Sequence, residues 1–74
     1  MITIYTKPDC QPCRAAKRAM TAAGITFAEM SVEENVEMLS ALGYRAAPVT
    51  IAGDLHWHGF RPDMIARLSG GDHG

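Results

Sequence analysis

Cysteine is scarce in this chain, and so is every feature that would take it outside the ordinary class of small folded domains. Two cysteines are too few for the multiple pairs with which small secreted scaffolds are stapled, so these two need another explanation. No apolar run approaches the roughly 18 to 20 residues that a membrane-crossing helix requires. Internal repeats and low-complexity stretches are missing as well. The formal net charge is only −1, which offers no basic field to nucleic acid. The opening stretch Met1-Ile2-Thr3-Ile4-Tyr5-Thr6 has neither the charged lead nor the apolar core of an export signal, so a cytoplasmic setting is expected.

What remains is the composition of a folded domain: 74 residues, 47% hydrophobic and 20% charged. A chain of this size supports a single core and buries roughly 60 to 65% of its unfolded surface. One monomeric domain over residues 1–69 is expected, followed by a flexible tail over 70–74, with the tail's approach already beginning at Ser69.

Ile2 to Thr6 is rich in β-branched and aromatic residues and alternates along its length, which predicts a strand. Lys7-Pro8-Asp9 ends it. From Gln11 to Ala23, Cys13, Ala16, Met20 and Ala23 recur three and four apart while Arg14, Lys17, Arg18 and Thr21 take the other side, which predicts an amphipathic helix. Pro12 suits its first turn, and Gly24 can close its far end with a positive φ. A second strand is expected over Ile25 to Met30. Ser31-Val32-Glu33-Glu34 has the spacing of a capping box, so a second helix should start there, continue through Val32, Val36 and Leu39, and stop at Gly43. Val49-Thr50-Ile51 and Leu55-His56-Trp57 flank Ala52-Gly53-Asp54 as a hairpin would. Pro62 opens a last helix with Met64 or Ile65 and Leu68 facing inward. Met20, Met30, Met38 and Met64 are expected to fill the core, because thioethers adapt to irregular gaps.

The resulting order is βαβαββα, an α/β arrangement with a four-stranded mixed sheet flanked by three helices. In it Cys10 falls at the junction of the first strand and first helix, where unpaired N–H groups stabilise an anion. Lys7 and Arg14 add positive charge, and cysteines so placed are depressed from about 8.5 into a range of roughly 3.5 to 7.5. Cys10 is therefore the expected nucleophile. Cys13, nearly one turn later on the inward face, is the expected resolving thiol. Cys-x-x-Cys at such a turn points to thiol–disulfide exchange, with a short-loop structural disulfide disfavoured because it removes little unfolded-chain entropy.

Cys10, Cys13, His56 and His58 also make two cysteines and two histidines, but His-x-His departs from the three-to-five-residue gap usual between zinc-ligating histidines. No metal site is expected. His56 and His58, alternate residues of an extended segment, should solvate one sheet face, and His73 belongs to the tail. Pro48, between the second helix and a strand, is a candidate for a cis peptide bond.

Tyr5-Thr6-Lys7-Pro8-Asp9-Cys10-Gln11-Pro12-Cys13, Ala41-Leu42-Gly43-Tyr44, Ala47-Pro48-Val49, Ile51-Ala52-Gly53 and Trp57-x-Gly59-Phe60-Arg61-Pro62-Asp63 together resemble the NrdH-redoxins, glutaredoxin-like proteins that behave as thioredoxins do. The resemblance runs from Met1 to about Leu68. It implies a thioredoxin fold, a cis Pro48, no bound cofactor, reduction by thioredoxin reductase with NADPH, and electron delivery to a class Ib ribonucleotide reductase. Lys7, Gln11 and Pro12 border the redox pair Cys10 and Cys13 and are expected to touch partners, and the resemblance implies partner-binding roles for Ala47, Pro48, Trp57, Gly59, Phe60 and Arg61. The last four of those partner positions replace the glycines and acidic residues with which true glutaredoxins hold glutathione.

Two departures from the family pattern stand out. Gln11-Pro12 sets a proline before the second cysteine where the family usually has Val-Gln or Met-Gln, and His58 takes the place of a common serine. Without the resemblance, Trp57 and Phe60 read as packing residues and Arg61 as a solvated helix-end charge. The competing functions are a glutathione-dependent glutaredoxin and a zinc or iron–sulfur binding module.

Overall fold

The structure is a computed structural model, and it describes residues 1–70. The expected tail, with His73, lies outside the described residues except for Gly70, which ends the last helix. The elements are β1 (Ile2–Thr6), α1 (Gln11–Ala22), β2 (Ala28–Ser31), a 3-10 turn (Glu33–Asn35), α2 (Val36–Ala41), β3 (Val49–Ala52), β4 (Leu55–His58) and α3 (Pro62–Gly70). Sheet order is β2-β1-β3-β4. β1 runs parallel to β2 and antiparallel to β3, and β3 pairs antiparallel with β4. This is the thioredoxin fold.

Register assigns the two faces. Ile4, Thr50 and Trp57 lie opposite one another across three strands, so they share a face, and all three are buried. α1 and α3 cover it: Ala16, Met20 and Ile65 cluster on Ile4, with Ile2, Ala19, Ile25 and Phe27 packed around them. Val49, next to Thr50, therefore points to the other face, where it shares a cavity with Leu39 of α2. Ile4 and Met20 are 0% exposed, which identifies the centre of the core.

The glycine stops behave as expected and explain one displaced boundary. After α1, Gly24 at φ 76 donates to Thr21 O while Ile25 donates to Met20 O, the paired bonds of a Schellman cap. Ile25 is thus part of the helix stop, with its side chain on Met20. The second strand, expected from Ile25, consequently starts only at Ala28. The end of α2 repeats the device, with Gly43 (φ 91) donating to Ser40 O and Tyr44 to Leu39 O.

The second helix also begins later than its sequence suggests. Ser31 is still paired with Thr6 in the sheet, and Val32 donates to Thr6 O at 2.9 Å, so the chain cannot turn before Val32. Half of the capping box forms, with Glu34 N–H on Ser31 Oγ at 3.3 Å, but it caps a 3-10 turn rather than an α-helix. Asn35, at φ −129 and ψ 25, interrupts the path before α2.

Several side chains differ from their expected burial. Met30 and Met38 are 45% and 37% exposed, because β2 is an edge strand and α2 is too short to cover its own flank. Val36 is 51% exposed for the same reason. Ala23 is exposed, being the cap residue rather than a member of the inward stripe. Ser69, expected to begin the tail, instead donates from Oγ to Ala66 O within α3.

Candidate active site

Strand directions bring the functional segments to one end of the sheet. Tyr5 pairs with Val49, and Val49 with His58. The segment after β1, the one before β3 and the one after β4 therefore meet there. These are Lys7 to Cys13, Ala47-Pro48, and Gly59 to Arg61.

Asp9 turns the chain from strand into helix. Its φ of 55 is the sole positive value among the described non-glycine residues, and aspartate tolerates this left-handed region better than most side chains. Cys10 then returns to extended geometry (φ −116, ψ 103) as the N-cap of α1. Its Sγ accepts the backbone N–H of Cys13 at 3.1 Å. The two sulfurs form a disulfide with a Cα–Cα distance of 5.2 Å. Cys10 is 6% exposed and Cys13 2%, so the N-cap cysteine is the more exposed residue of a largely buried pair. A thiolate on Cys10 would receive the same N–H together with the positive end of the helix dipole, both of which favour its charged form.

Lys7, Pro8 and Arg14 line a cleft with the two cysteines, as sequence reasoning anticipated for Lys7 and Arg14. The far wall of that cleft was missed. Glu29 Oε2 on β2 accepts from Thr6 Oγ1 at 2.7 Å and from Lys17 Nζ at 2.9 Å. Those two hydrogen bonds hold the Glu29 carboxyl below its ordinary range, Lys17 acting most strongly. No spacing marks this triad, because its members lie on three elements and meet only through the β1–β2 register.

Gln11, Pro12 and Phe60 line a second groove on the other side of Cys10, with Arg14, Ala15 and Arg18. Phe60 is 41% exposed. Trp57, for which a partner-binding role was expected, is different: at 5% exposure it belongs to the core, and its ring offers little surface. Arg61 is exposed, but its Nε and Nη2 donate to both carboxylate oxygens of Asp63 at 3.0 and 2.9 Å. Its charge is largely matched within the chain.

The Ala47–Pro48 peptide bond is cis. Pro48 is buried and its carbonyl accepts from Gly59 N–H at 2.7 Å, so one hydrogen bond ties two of the three segments. His56 and His58 are exposed on β4 but do not merely solvate it. Tyr44 Oη lies 2.7 Å from His56 Nδ1, and the Tyr44 ring centroid is 5.6 Å from each imidazole. They stand on the face opposite Trp57, apart from the cysteines.

The glutaredoxin family model matches residues 2–57. Glutaredoxin-like protein NrdH of Escherichia coli strain K12 is 53% identical, over 97% of this chain and 93% of its own. The protein of that name from Lactococcus lactis subsp. cremoris is 36% identical, over 93% of this chain and all (100%) of its own. The solved structure of the glutaredoxin-like NrdH-redoxin from Escherichia coli, described for its thioredoxin-like activity profile, superposes with a TM-score of 0.86 at 56% identity, covering 90% of this chain and 92% of that one. The thioredoxin-like protein BC3987 gives 0.79 at 22% identity, covering 92% and 99%, a likeness of fold alone. With a cysteine pair at disulfide distance on a helix N-terminus and this similarity along nearly its whole length, the chain belongs to the glutaredoxin family, among its NrdH-type members, and is a thiol–disulfide oxidoreductase.

Proposed function

We propose that the protein is a cytoplasmic, monomeric dithiol electron carrier that thioredoxin reductase reduces at the expense of NADPH and that passes its electrons to a class Ib ribonucleotide reductase. Cys10 is the attacking sulfur. The observation that carries this reading is the N-cap geometry, with the sulfur of the more exposed cysteine accepting the Cys13 N–H. Cys10 thiolate attacks one sulfur of the target disulfide, breaking that bond and releasing one target thiolate, which takes up a proton. Cys13 thiolate then attacks Cys10 Sγ, the mixed disulfide breaks, and the second target sulfur leaves as a thiol. Two electrons have moved to the target and the Cys10–Cys13 disulfide is formed. Reductase restores the dithiol, and no bound cofactor takes part.

Partner choice rests on the segment after β4. Where glutaredoxins present acidic and small groups to glutathione, this chain has an exposed Phe60 and an Arg61 already bonded to Asp63. Glutathione's amine and carboxylates find few complementary groups in that segment, whereas a protein partner can bury Phe60. Gln11, Pro12 and Lys7 border the pair, and Ala47 with Pro48 supplies backbone to the docking segment. The test compares NADPH oxidation through thioredoxin reductase with that through glutathione reductase and glutathione, using hydroxyethyl disulfide as the terminal acceptor. Reduction through the first system should be many times faster; equal rates would make the protein a glutathione-dependent glutaredoxin instead.

A further inference from the structure

The surroundings of the redox pair are asymmetric in charge. On the β2 side, the cleft holds cations and acids together: Lys17 is paired with Glu29 at 2.9 Å, and Glu33 stands on the same wall. On the α1–α3 side, the groove is walled by Arg14 and Arg18, with Gln11, Pro12, Ala15 and Phe60 completing it. No acidic residue lines that groove, and among the described residues the ion pairs are Lys17–Glu29 and Arg61–Asp63 alone, so neither arginine has an acidic partner. Arg14 and Arg18 are four apart on one helix, hence side by side. Both are exposed. Phe60, 41% exposed, adds apolar surface to the same groove. A chain with net charge −1 has thus gathered unmatched positive charge beside its redox motif, while Glu33, Glu34 and Glu37 lie at the start of the α2 segment.

We infer that this groove selects the disulfide substrate: Arg14, Arg18 and Phe60 receive a protein segment that carries acidic residues and an aliphatic side chain next to its redox cysteine. The inference rests on the reading of Cys10 as the attacking sulfur, since the groove begins at Gln11, the next residue. Opposite charge shortens the search for the encounter complex and fixes the direction in which the segment lies across the motif. The aliphatic side chain covers Phe60 and excludes water from the arginines. A basic segment meets two uncompensated positive charges in the same place.

The test uses the pre-reduced protein in single-turnover mixing, so that no reductase is involved. The probes are disulfide-linked dimers of one short peptide with leucine beside its cysteine and flanks of Glu-Glu, Gln-Gln or Lys-Lys. Each rate is divided by that of dithiothreitol with the same peptide, which removes intrinsic differences in reactivity. Exposed ion pairs contribute modestly, so the normalised rate should fall about three- to tenfold from the Glu to the Gln peptide and again from Gln to Lys at low salt. The differences should shrink in molar salt. Arg18→Glu, which sets a negative charge against the remaining Arg14, should abolish the order, and Arg18 is the decisive position because Arg14 also borders the cysteine cleft. Equal normalised rates for the three peptides, or an order that survives Arg18→Glu, would overturn the groove while leaving the Cys10 chemistry standing. If the reduced protein leaves even the Gln peptide oxidised, the reading of Cys10 fails and the groove falls with it.

Discussion

Gly59 donates its backbone N–H to the carbonyl oxygen of Pro48 at 2.7 Å, extending the β3–β4 ladder by one bond beyond the Val49–His58 pair. The bond joins the cis-proline loop to the segment that carries Phe60, and it holds Gly59 at φ 84. A Cβ added there would meet nothing within 4 Å, so the cost of a side chain is conformational rather than steric. Gly59→Ala should therefore fold but lose about 1 to 2 kcal/mol, the left-handed penalty of an ordinary residue. For a domain this size that corresponds to roughly 4 to 15 °C in Tm. A thermal melt with no displacement would show that the loop relaxes at no cost.

The two sulfurs should divide their labour. Cys10→Ser should abolish reduction of a protein disulfide, and Cys13→Ser should still attack but stop as a one-to-one mixed disulfide visible by mass spectrometry. Turnover by Cys10→Ser would assign the attack to the wrong sulfur.

Ionisation should follow the N-cap geometry. In the reduced protein Cys10 should be alkylated by iodoacetamide with a midpoint well below the free-thiol value of about 8.5, and Cys13, 2% exposed, should react slowly. A single midpoint near the free-thiol value for both would mean that the helix terminus and the Cys13 N–H do not stabilise the anion.

Trp57 and Phe60, three residues apart, should fail in different ways. Trp57 is 5% exposed and Phe60 41%, so Trp57→Ala should cost about 3 to 5 kcal/mol. That is a large part of the stability of a 74-residue chain, about 4 to 11 kcal/mol at roughly 0.05 to 0.15 kcal/mol per residue. Phe60→Ala should stay within about 0.5 kcal/mol in urea denaturation yet slow reduction by thioredoxin reductase. Equal destabilisation by the two substitutions would contradict the burial difference.

Glu29 supplies a pH dependence. Its carboxyl is lowered from the ordinary 4.5, first by Lys17 and then by Thr6. A depressed carboxyl contributes stability that is complete above the unfolded pKa and is lost as pH falls through the folded pKa. The window is therefore the acid side of 4.5. With side chains 33% and 43% exposed in the pair, the contribution is under about 1 kcal/mol. Carboxyl NMR titration should find the Glu29 midpoint below the ordinary glutamate value, and Lys17→Met should move it upward.

The redox motif, the helix stops at Gly24 and Gly43, the hairpin at Gly53-Asp54 and the opening of α3 at Pro62 were legible in the sequence. Each depends on neighbours within a few residues: a positive φ for glycine, a missing N–H for proline, a sulfur one turn from another. What depended on register was not legible. Met30 and Met38 were expected inside, yet their elements are an edge strand and a helix of six residues, and sequence spacing does not say what covers a face. The Thr6–Glu29–Lys17 triad joins residues 12 and 23 positions apart, so it exists only once β1 and β2 pair. Ser31 carried a genuine capping signal and does accept the Glu34 N–H, but the turn it caps is a 3-10 turn that Asn35 breaks, so α2 starts only at Val36. Local chemistry thus determined where the chain turns and which two sulfurs meet, while strand pairing decided which polar groups meet across the fold and which large side chains are left exposed.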